Sequence, residues 1–425
     1  MDDIFSPAPA ALLHAPREGF ALLQNTHRDM IQATAFNSYG DRFATSSVDG
    51  KIKVYNRHRD GSWNLCDTWG AHSGEVIEIH WLPPTIHPNL LASIATDGRF
   101  KLWVEDPTIA PQKGRRFSTA LWELRSPSRQ PFTSFSLTHN AATRHTYLAL
   151  INRSGTIHVY ENDEPENLSN WTEIDKFRAV SEEPARGDET AFKLQFDRNL
   201  EPCYNAVRQG VPRDALGLVV AGMNTATVWR TKELTHTVSL GSSNSKEFYL
   251  AVDLKGHRGL VRDVAWAPGS IRGFDIVATA CKDGYIRVFE ISTPTPSSSS
   301  SSSSSRTRES TAAASAHATP SSSSQHRAAA ENGKPSGIGA GLAGAREGAA
   351  GAAVGPGQVK HVAREVSRLD AHRSPVWRVD FDDDGQLLGS TGDDGRVLLW
   401  RREPSGIWSK SSELAMNRSA LPAAA

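Results

Sequence analysis

The residues best placed to do chemistry in this sequence come in four matching sets, each with a histidine, a hydroxyl and an aspartate. They are His27, Thr45 and Asp49; His72, Ser93 and Asp97; His257, Thr279 and Asp283; and His372, Ser390 and Asp394. A hydroxyl, an imidazole and a carboxylate in line form the constellation of nucleophilic hydrolysis, in which the base takes the hydroxyl proton and the acid orients the base. The same set recurring four times at equivalent positions of the repeats argues against that reading, because a catalytic site would occur once. A repeated polar set is better explained as buried groups that satisfy one another inside a repeated structural unit. No residue is therefore assigned a catalytic role, and no enzyme is expected.

Stepping outward from each set gives the elements that must hold it. The segments are His27–Tyr55, His72–Trp103, His257–Phe289 and His372–Trp400. Each opens on the histidine and runs through an alternating strand to an aromatic residue (Phe36, Trp81, Trp266 or Phe381). After a turn comes a strand rich in small residues, then an Asp-Gly turn (Asp49-Gly50, Asp97-Gly98, Asp283-Gly284, Asp394-Gly395). A last strand ends on an aromatic residue six positions past that aspartate. Period-2 alternation bounded by Asp-Gly is a hairpin signal. Two blurred repeats lie between. One contains PFTSFSL, TYLALIN and SGTIHVY (Ser154–Tyr160), and the other FKLQF (Phe192–Phe196), LGLVVAG (Leu216–Gly222) and MNTATVWR (Met223–Arg230). Six units of four short strands predict an all-β, six-bladed WD40 β-propeller. In such blades the turn aspartate, opening histidine, middle-strand hydroxyl and third-strand Trp form a buried hydrogen-bond chain. Three of the sets here lack the Trp or split its role, so incomplete chains are expected.

Composition narrows the function. Of 425 residues, 38% are hydrophobic and 22% charged, enough for a sizeable core. Lys+Arg and Asp+Glu both total 47, and zero net charge argues against dominant nucleic-acid binding, which needs excess cation. Cys66, Cys203 and Cys281 are widely spaced, so they predict free thiols in a reducing compartment and neither a disulfide framework nor a zinc site. The acidic start lacks the pattern of a secretory signal, and no apolar run is long enough to cross a membrane. A cytosolic or nuclear protein with no cofactor, no metal and no small-molecule substrate is expected.

Residues 293–358 include nine consecutive serines, Ser297–Ser305, followed by Ala, Gly, Ser and Pro. That composition buries too little apolar surface to offset its ordering entropy, so a disordered insertion between blades five and six is expected. Its Gly339, Gly341 and Gly344 match the spacing of a dinucleotide fingerprint but lack the strand and helix that motif requires. The basic residues Lys113, Arg115, Arg116, Arg125 and Arg129 read as a solvated loop, and Asp382, Asp383 and Asp384 as a polar turn with too few converging oxygens for calcium. The expected organisation is a flexible tail over 1–17, blades one to five over 18–292, the insertion over 293–358, blade six with a final strand over 359–416, and a second tail over 417–425.

The segments HRDMIQATAFNSYGDRFATSSVDGKIKVYN, GSWNLCDTWGAHSGEVIEIHW, LLASIATDGRFKLWVED and SPVWRVDFDDDGQLLGSTGDDGRVLLWRREPSGIWSKSSEL resemble the Sec-thirteen-homologue family of WD40 nucleoporins. The likeness spans nearly all of the chain outside the insertion and the N-terminal tail. The sister Sec-thirteen vesicle-coat group is the nearest alternative. The resemblance implies a six-bladed, open propeller that an α-solenoid nucleoporin of the Y-shaped nuclear pore scaffold completes by donating a blade in trans. It also implies a related subunit of the SEA complex as a second partner, in nutrient signalling at the vacuole or lysosome. The expected location is the nuclear envelope, with the complex carrying the chain to membranes peripherally, in support of protein and mRNA transport. Unpaired strand edges are templates for added strands. The gap is expected between the ALLQ strand (Phe20, Ala21, Leu22, Leu23 and Gln24) and the last blade at Val376, Trp377 and Val379. SGIWSKSSEL either completes the last blade or clasps the first. The competing functions are an adaptor that reads peptides on the top face of the propeller and a propeller hydrolase or oxidoreductase.

Overall fold

The computed structural model describes residues 23, 26–83, 87, 89–238, 241–269, 273–294 and 355–415. Among them lie six four-stranded antiparallel sheets, each formed by four strands consecutive in sequence. Blade one holds β1 (Ile31–Phe36), β2 (Arg42–Ser47), β3 (Lys51–Arg57) and β4 (Trp63–Gly70). Blade two holds β5 (Val76–Trp81), β6 (Leu90–Ala95), β7 (Arg99–Val104) and β8 (Ala120–Arg125). Blade three holds β9 (Phe132–Asn140), β10 (His145–Asn152), β11 (Thr156–Asn162) and β12 (Thr172–Arg178). Blade four holds β13 (Phe192–Phe196), β14 (Gly217–Gly222), β15 (Thr225–Val238) and β16 (Gly241–Leu254), with the short helix α1 (Tyr204–Arg208) between its first two strands. Blade five holds β17 (Val261–Trp266), β18 (Asp275–Cys281), β19 (Ile286–Ser292) and β20 (Val362–Leu369). Blade six holds β21 (Val376–Phe381), β22 (Leu387–Gly392), β23 (Arg396–Arg402) and β24 (Trp408–Ala415).

The Asp-Gly turns set the hairpins between the second and third strands. In blade one the Asp49 carboxylate accepts the Lys51 amide at 3.0 Å, which closes the turn on itself. Gly50 then takes φ +76°, and a Cβ there would meet the His72 carbonyl oxygen at 2.4 Å, so only glycine fits. Asp97, Asp283 and Asp394 accept the amide two residues on in the same way.

Two expectations change here. The insertion does not separate blades five and six. It lies inside blade five, between β19 and β20, where Ser292 pairs with Val362 and Ile286 with Leu369. Blade five therefore extends past residue 292 and takes its outer strand from the segment assigned to blade six. The insertion's low-complexity body, its glycine triplet and both terminal tails lie outside the described residues. The final strand is also settled. β24 pairs with β23, with Trp400 opposite Lys410 and Arg402 opposite Trp408. It completes blade six as β4 completes blade one, and it does not clasp blade one.

A sheet buried on one face only cannot support itself, so the blades stack face to face. Five apolar layers fill the boundaries between consecutive blades. Ala44, Val54, Trp69, Leu91, Trp103 and Phe117 lie between blades one and two. Ala92, Leu102, Phe135, Leu148 and Tyr160 lie between two and three. Ala149, Val159, Leu218, Trp229 and Phe248 lie between three and four. Val219, Val228, Trp266, Val277 and Phe289 lie between four and five. Ala278, Val288, Leu388, Trp400 and Trp408 lie between five and six. Among the described residues no such layer joins blade six to blade one.

The place of the insertion gives a test. Ser292 and Val362 already face each other across a hairpin, so replacing 295–354 with a short Gly/Ser turn removes only loop-closure cost. The melting temperature should stay within about 2–4 °C of the parent or rise slightly. Deleting 362–369 as well uncovers β19 and should lower it by far more, and calorimetry on the two deletions separates these outcomes.

Candidate functional site

The four polar sets carry the candidate chemistry of the sequence. In blade two His72 Nδ1 lies 3.1 and 3.2 Å from the two Asp97 carboxylate oxygens, and its Nε2 lies 2.8 Å from Ser93 Oγ. The indole of Trp103 also donates to Ser93 Oγ at 2.9 Å. Blade six repeats this geometry. His372 lies 3.1 Å from Asp394 and 2.8 Å from Ser390, and Trp400 donates to Ser390 at 2.9 Å.

These two chains hold the order of a hydrolytic triad and cannot act as one. Both serines are buried away from any substrate, and each hydroxyl is already engaged on two sides, against the imidazole Nε2 and by the indole N–H that donates to it. Each group finds a partner, which is what a buried polar set requires. The other two sets are shorter. In blade one His27 Nε2 sits 3.0 Å from Thr45 but its Nδ1 is 3.7 Å from Asp49, and Tyr55 stands where the tryptophan would be. In blade five His257 reaches Thr279 at 2.9 Å, while Asp283 turns to the Arg287 guanidinium at 2.8 and 3.2 Å, and Phe289 replaces the indole.

Electrostatics follow from burial. Burial opposes the charged form of Asp97, but the hydrogen bonds from His72 and from the Arg99 and Ser73 amides outweigh it and lower the pKa to about 2. Burial, helped by the Arg287 charge, lowers His257 to about 4, and burial lowers His361 to about 4. Both imidazoles are neutral in the folded chain at neutral pH.

The second feature is the pair of faces that lack a neighbour. On blade one Phe36, Phe43 and Tyr55 lie in one cross-strand row, on the side away from blade two. The Phe36 and Phe43 rings lie 4.5 Å apart at a tilt of 33°, and Trp63 packs edge-on against both at 5.7 and 5.9 Å. Phe36 is 58% exposed, whereas its counterparts Phe196, Trp266 and Phe381 are at most 4% exposed. On blade six the side away from blade five carries half-buried Leu387, Val397 and Leu399 with Leu414, which is 47% exposed. Apolar faces of this kind on a folded chain mark a surface that another molecule covers.

The structure moves the expected edge. Val376 and Val379 are buried in the layer between blades five and six, so they point away from the open side. Trp377 is a bulged residue whose ring lies 3.4 Å from the Arg262 guanidinium and whose indole donates to Asp393. Leu23 is half-buried and lies in no strand; Phe20, Ala21, Leu22 and Gln24 lie outside the described residues. The basic loop is also more ordered than expected. Arg116 donates to Glu105 at 2.7 Å beside a bidentate Arg42 at 2.5 and 2.7 Å, and Asp67 accepts the Arg116 and Phe117 amides. This loop straps blade two to blade one. Asp382, by contrast, accepts the Gln386 and Leu387 amides as a polar turn does.

Two measurements check the polar sets. Ser93→Ala leaves the Trp103 indole and His72 Nε2 without partners and should cost about 1–3 kcal/mol in denaturant unfolding, with no loss of any hydrolytic activity. For pH, His257 and His361 have folded pKa values below the ordinary 6.5, so the unfolded chain binds more protons between those values. Their contribution is complete above pH 6.5 and drains as pH falls towards 4. Urea midpoints at pH 7, 5.5 and 4.5 should decline in that order, and the decline should be shallower in His257→Asn.

Comparison with known proteins fits this architecture. The family described as "WD domain, G-beta repeat" matches residues 21–56, 249–290 and 363–401. Nucleoporin SEH1 of Chaetomium thermophilum is 40% identical, over 93% of this chain and 94% of that protein. Nucleoporin SEH1 of Saccharomyces cerevisiae is 28% identical, over 88% and 93%, and that of Schizosaccharomyces pombe 22%, over 93% and 96%. These relatives and the propeller describe a structural protein and not an enzyme. With six WD40 blades in order and that identity sustained along nearly the whole chain, the protein belongs to the nucleoporin SEH1 family.

Proposed function

We propose that this chain is a scaffold subunit of the nuclear pore complex at the nuclear envelope, and that its open side receives a blade donated in trans by an α-solenoid nucleoporin. The observation that carries the reading is the boundary left bare among the described residues: there five apolar layers join six blades, and the two end faces keep partly exposed aromatic and aliphatic side chains. Fully burying a large apolar side chain contributes about 1.5–3 kcal/mol. Phe36, Phe43 and Trp63 on one wall and Val397, Leu399 and Leu414 on the other are already partly covered in the lone chain, so burying what remains contributes part of that per residue, on the scale of a typical association cost of about 4–15 kcal/mol. Added strands would meet their hydrogen-bonding needs within their own sheet, so apolar packing of faces would hold the donated blade in place. In this reading the scaffold supports nucleocytoplasmic transport of protein and mRNA. The same side would serve a SEA-complex subunit of related type at the vacuole or lysosome, one partner at a time, because one gap holds one blade.

The test is thermal. The purified chain should gain several degrees of melting temperature when mixed with a solenoid nucleoporin that carries an N-terminal blade, since a ligand of the folded state alone stabilises it. Phe36→Glu, at a position already exposed in the lone chain, should leave the lone melting temperature nearly unchanged and remove most of that gain. A chain whose melting temperature ignores the partner at saturating concentration contradicts the proposal.

A further inference from the structure

The five filled boundaries share one side-chain code. On the second and third strands of every blade, two adjacent cross-strand pairs point to opposite faces, as the period-2 alternation of a strand requires. The pair facing the next blade is small or compact. It is Ala44–Val54 in blade one, Ala92–Leu102 in two, Ala149–Val159 in three, Val219–Val228 in four and Ala278–Val288 in five. All ten of these residues are 0% exposed. The pair facing the previous blade joins an aliphatic residue to an aromatic one. It is Leu91–Trp103 in blade two, Leu148–Tyr160 in three, Leu218–Trp229 in four, Val277–Phe289 in five and Leu388–Trp400 in six. In each boundary layer the compact pair of one blade and the bulky pair of the next belong to the same cluster. Each compact pair is a seat, and each bulky pair fills it.

Two members of this series lack a counterpart among the described residues. Blade six presents the seat Gly389–Leu399, whose leucine is half-buried, and blade one presents the bulky pair Phe43–Tyr55, with Phe43 half-exposed. Gly389 occupies the position held by alanine in blades one, two, three and five and by valine in blade four, so it presents the smallest side chain of the six seats.

We propose that the partner blade is selected by side-chain size on both faces. Towards blade six it carries a bulky aromatic paired with an aliphatic residue on its second and third strands, which enter the Gly389–Leu399 seat. Towards blade one it carries a compact Ala/Val-type pair that receives Phe43. The rule fixes the sense in which the blade enters, because a reversed blade would set bulk against Phe43 and leave the seat void. It rests on the donated-blade reading above and adds the chemistry by which that blade is recognised. A second copy of this chain could bring its own Phe43 to the seat, but that contact would fill one side only and leave a bare face at each end, as head-to-tail contacts that do not close do. A single blade with two different faces fills both sides at once.

Gly389 makes the rule testable without damage to the fold. A Cβ at this position would meet nothing nearer than 3.8 Å, so a larger side chain is accommodated in the lone chain. The full-length chain is measured against the solenoid nucleoporin with its N-terminal blade. Gly389→Phe should leave the melting temperature of the lone chain unchanged and weaken binding on the order of a hundredfold, the overpacking cost for a filled seat. Gly389→Ala, which copies the other seats, should bind like the parent. Shaving the aromatic residue on the partner's third strand to alanine should weaken binding to the parent and restore it to Gly389→Phe. Leu399→Glu, at the other half of the seat, should weaken binding independently. If Gly389→Phe and Leu399→Glu bind as tightly as the parent, the size rule is wrong while the donated blade stands. If the parent itself fails to bind, the donated-blade reading falls and the rule with it. If the parent self-associates in the absence of partner and Gly389→Phe abolishes this, the occupant is a second copy and the assignment to a partner blade is overturned.

Discussion

The structure depends on the apolar layer between blades. A four-stranded sheet has two faces, and in this chain the small residues of one face and the bulky residues of the other are each incomplete without a neighbour. Ala278 and Val288 are fully buried because Leu388 and Trp400 lie over them. Every inner blade has such a neighbour on both sides. Among the described residues the first and last blades have one such neighbour each, and Phe36, exposed in blade one, lies on a face without that cover. Among the described residues these two faces are the ones that no neighbouring blade covers.

Polar groups reinforce the same boundaries. Glu78 accepts the Phe135 amide of the next blade, Ser134 and Ser136 accept those of Leu194 and Phe196, Gln195 that of Trp266, and Asp263 that of Val379. Thus each inner strand from blade two onward holds the backbone of its successor. Between blades four and five the fully buried Arg230 bridges Asp197 at 3.1 Å and Asp275 at 2.5 Å and lies 5.0 Å from the Trp266 ring. Burial and the nearby Asp275 charge push the Asp197 carboxyl upward. Removing one member of such a group leaves an unpaired buried charge, which costs far more than a surface pair does. On the surface, Arg198 beside blade four also donates to Asp383 of blade six at 3.1 Å.

Much of this was legible in the sequence. The opening histidines, the Asp-Gly turns and the strand-ending aromatics marked four blades, because each of these residues answers to a local constraint of turn or burial. The blurred blades keep their inner three strands readable, but β12 and β16 carry no local signal of turn or alternation. β20 was misplaced because a long insertion separates it from β19, and only pairing in space returns it to blade five. The open face was harder still. Alternation puts Val376 and Val379 on opposite faces of a regular strand, and only the bulge at Trp377 brings both into the layer towards blade five. Phe36 likewise reads as a core aromatic, since the same position is buried in blades four, five and six. Only its place at the end of an unclosed series exposes it.

The central claim is that the two end blades lack a covering layer until a partner supplies one. Amide hydrogen exchange on the lone chain, followed blade by blade, measures this directly, since local opening is fastest where apolar coverage is poorest. The account predicts that β1–β3 and β21–β23 exchange faster than the corresponding strands of blades three and four, and that both slow to match them when the solenoid nucleoporin is bound. Uniform protection across all six blades in the lone chain would contradict it.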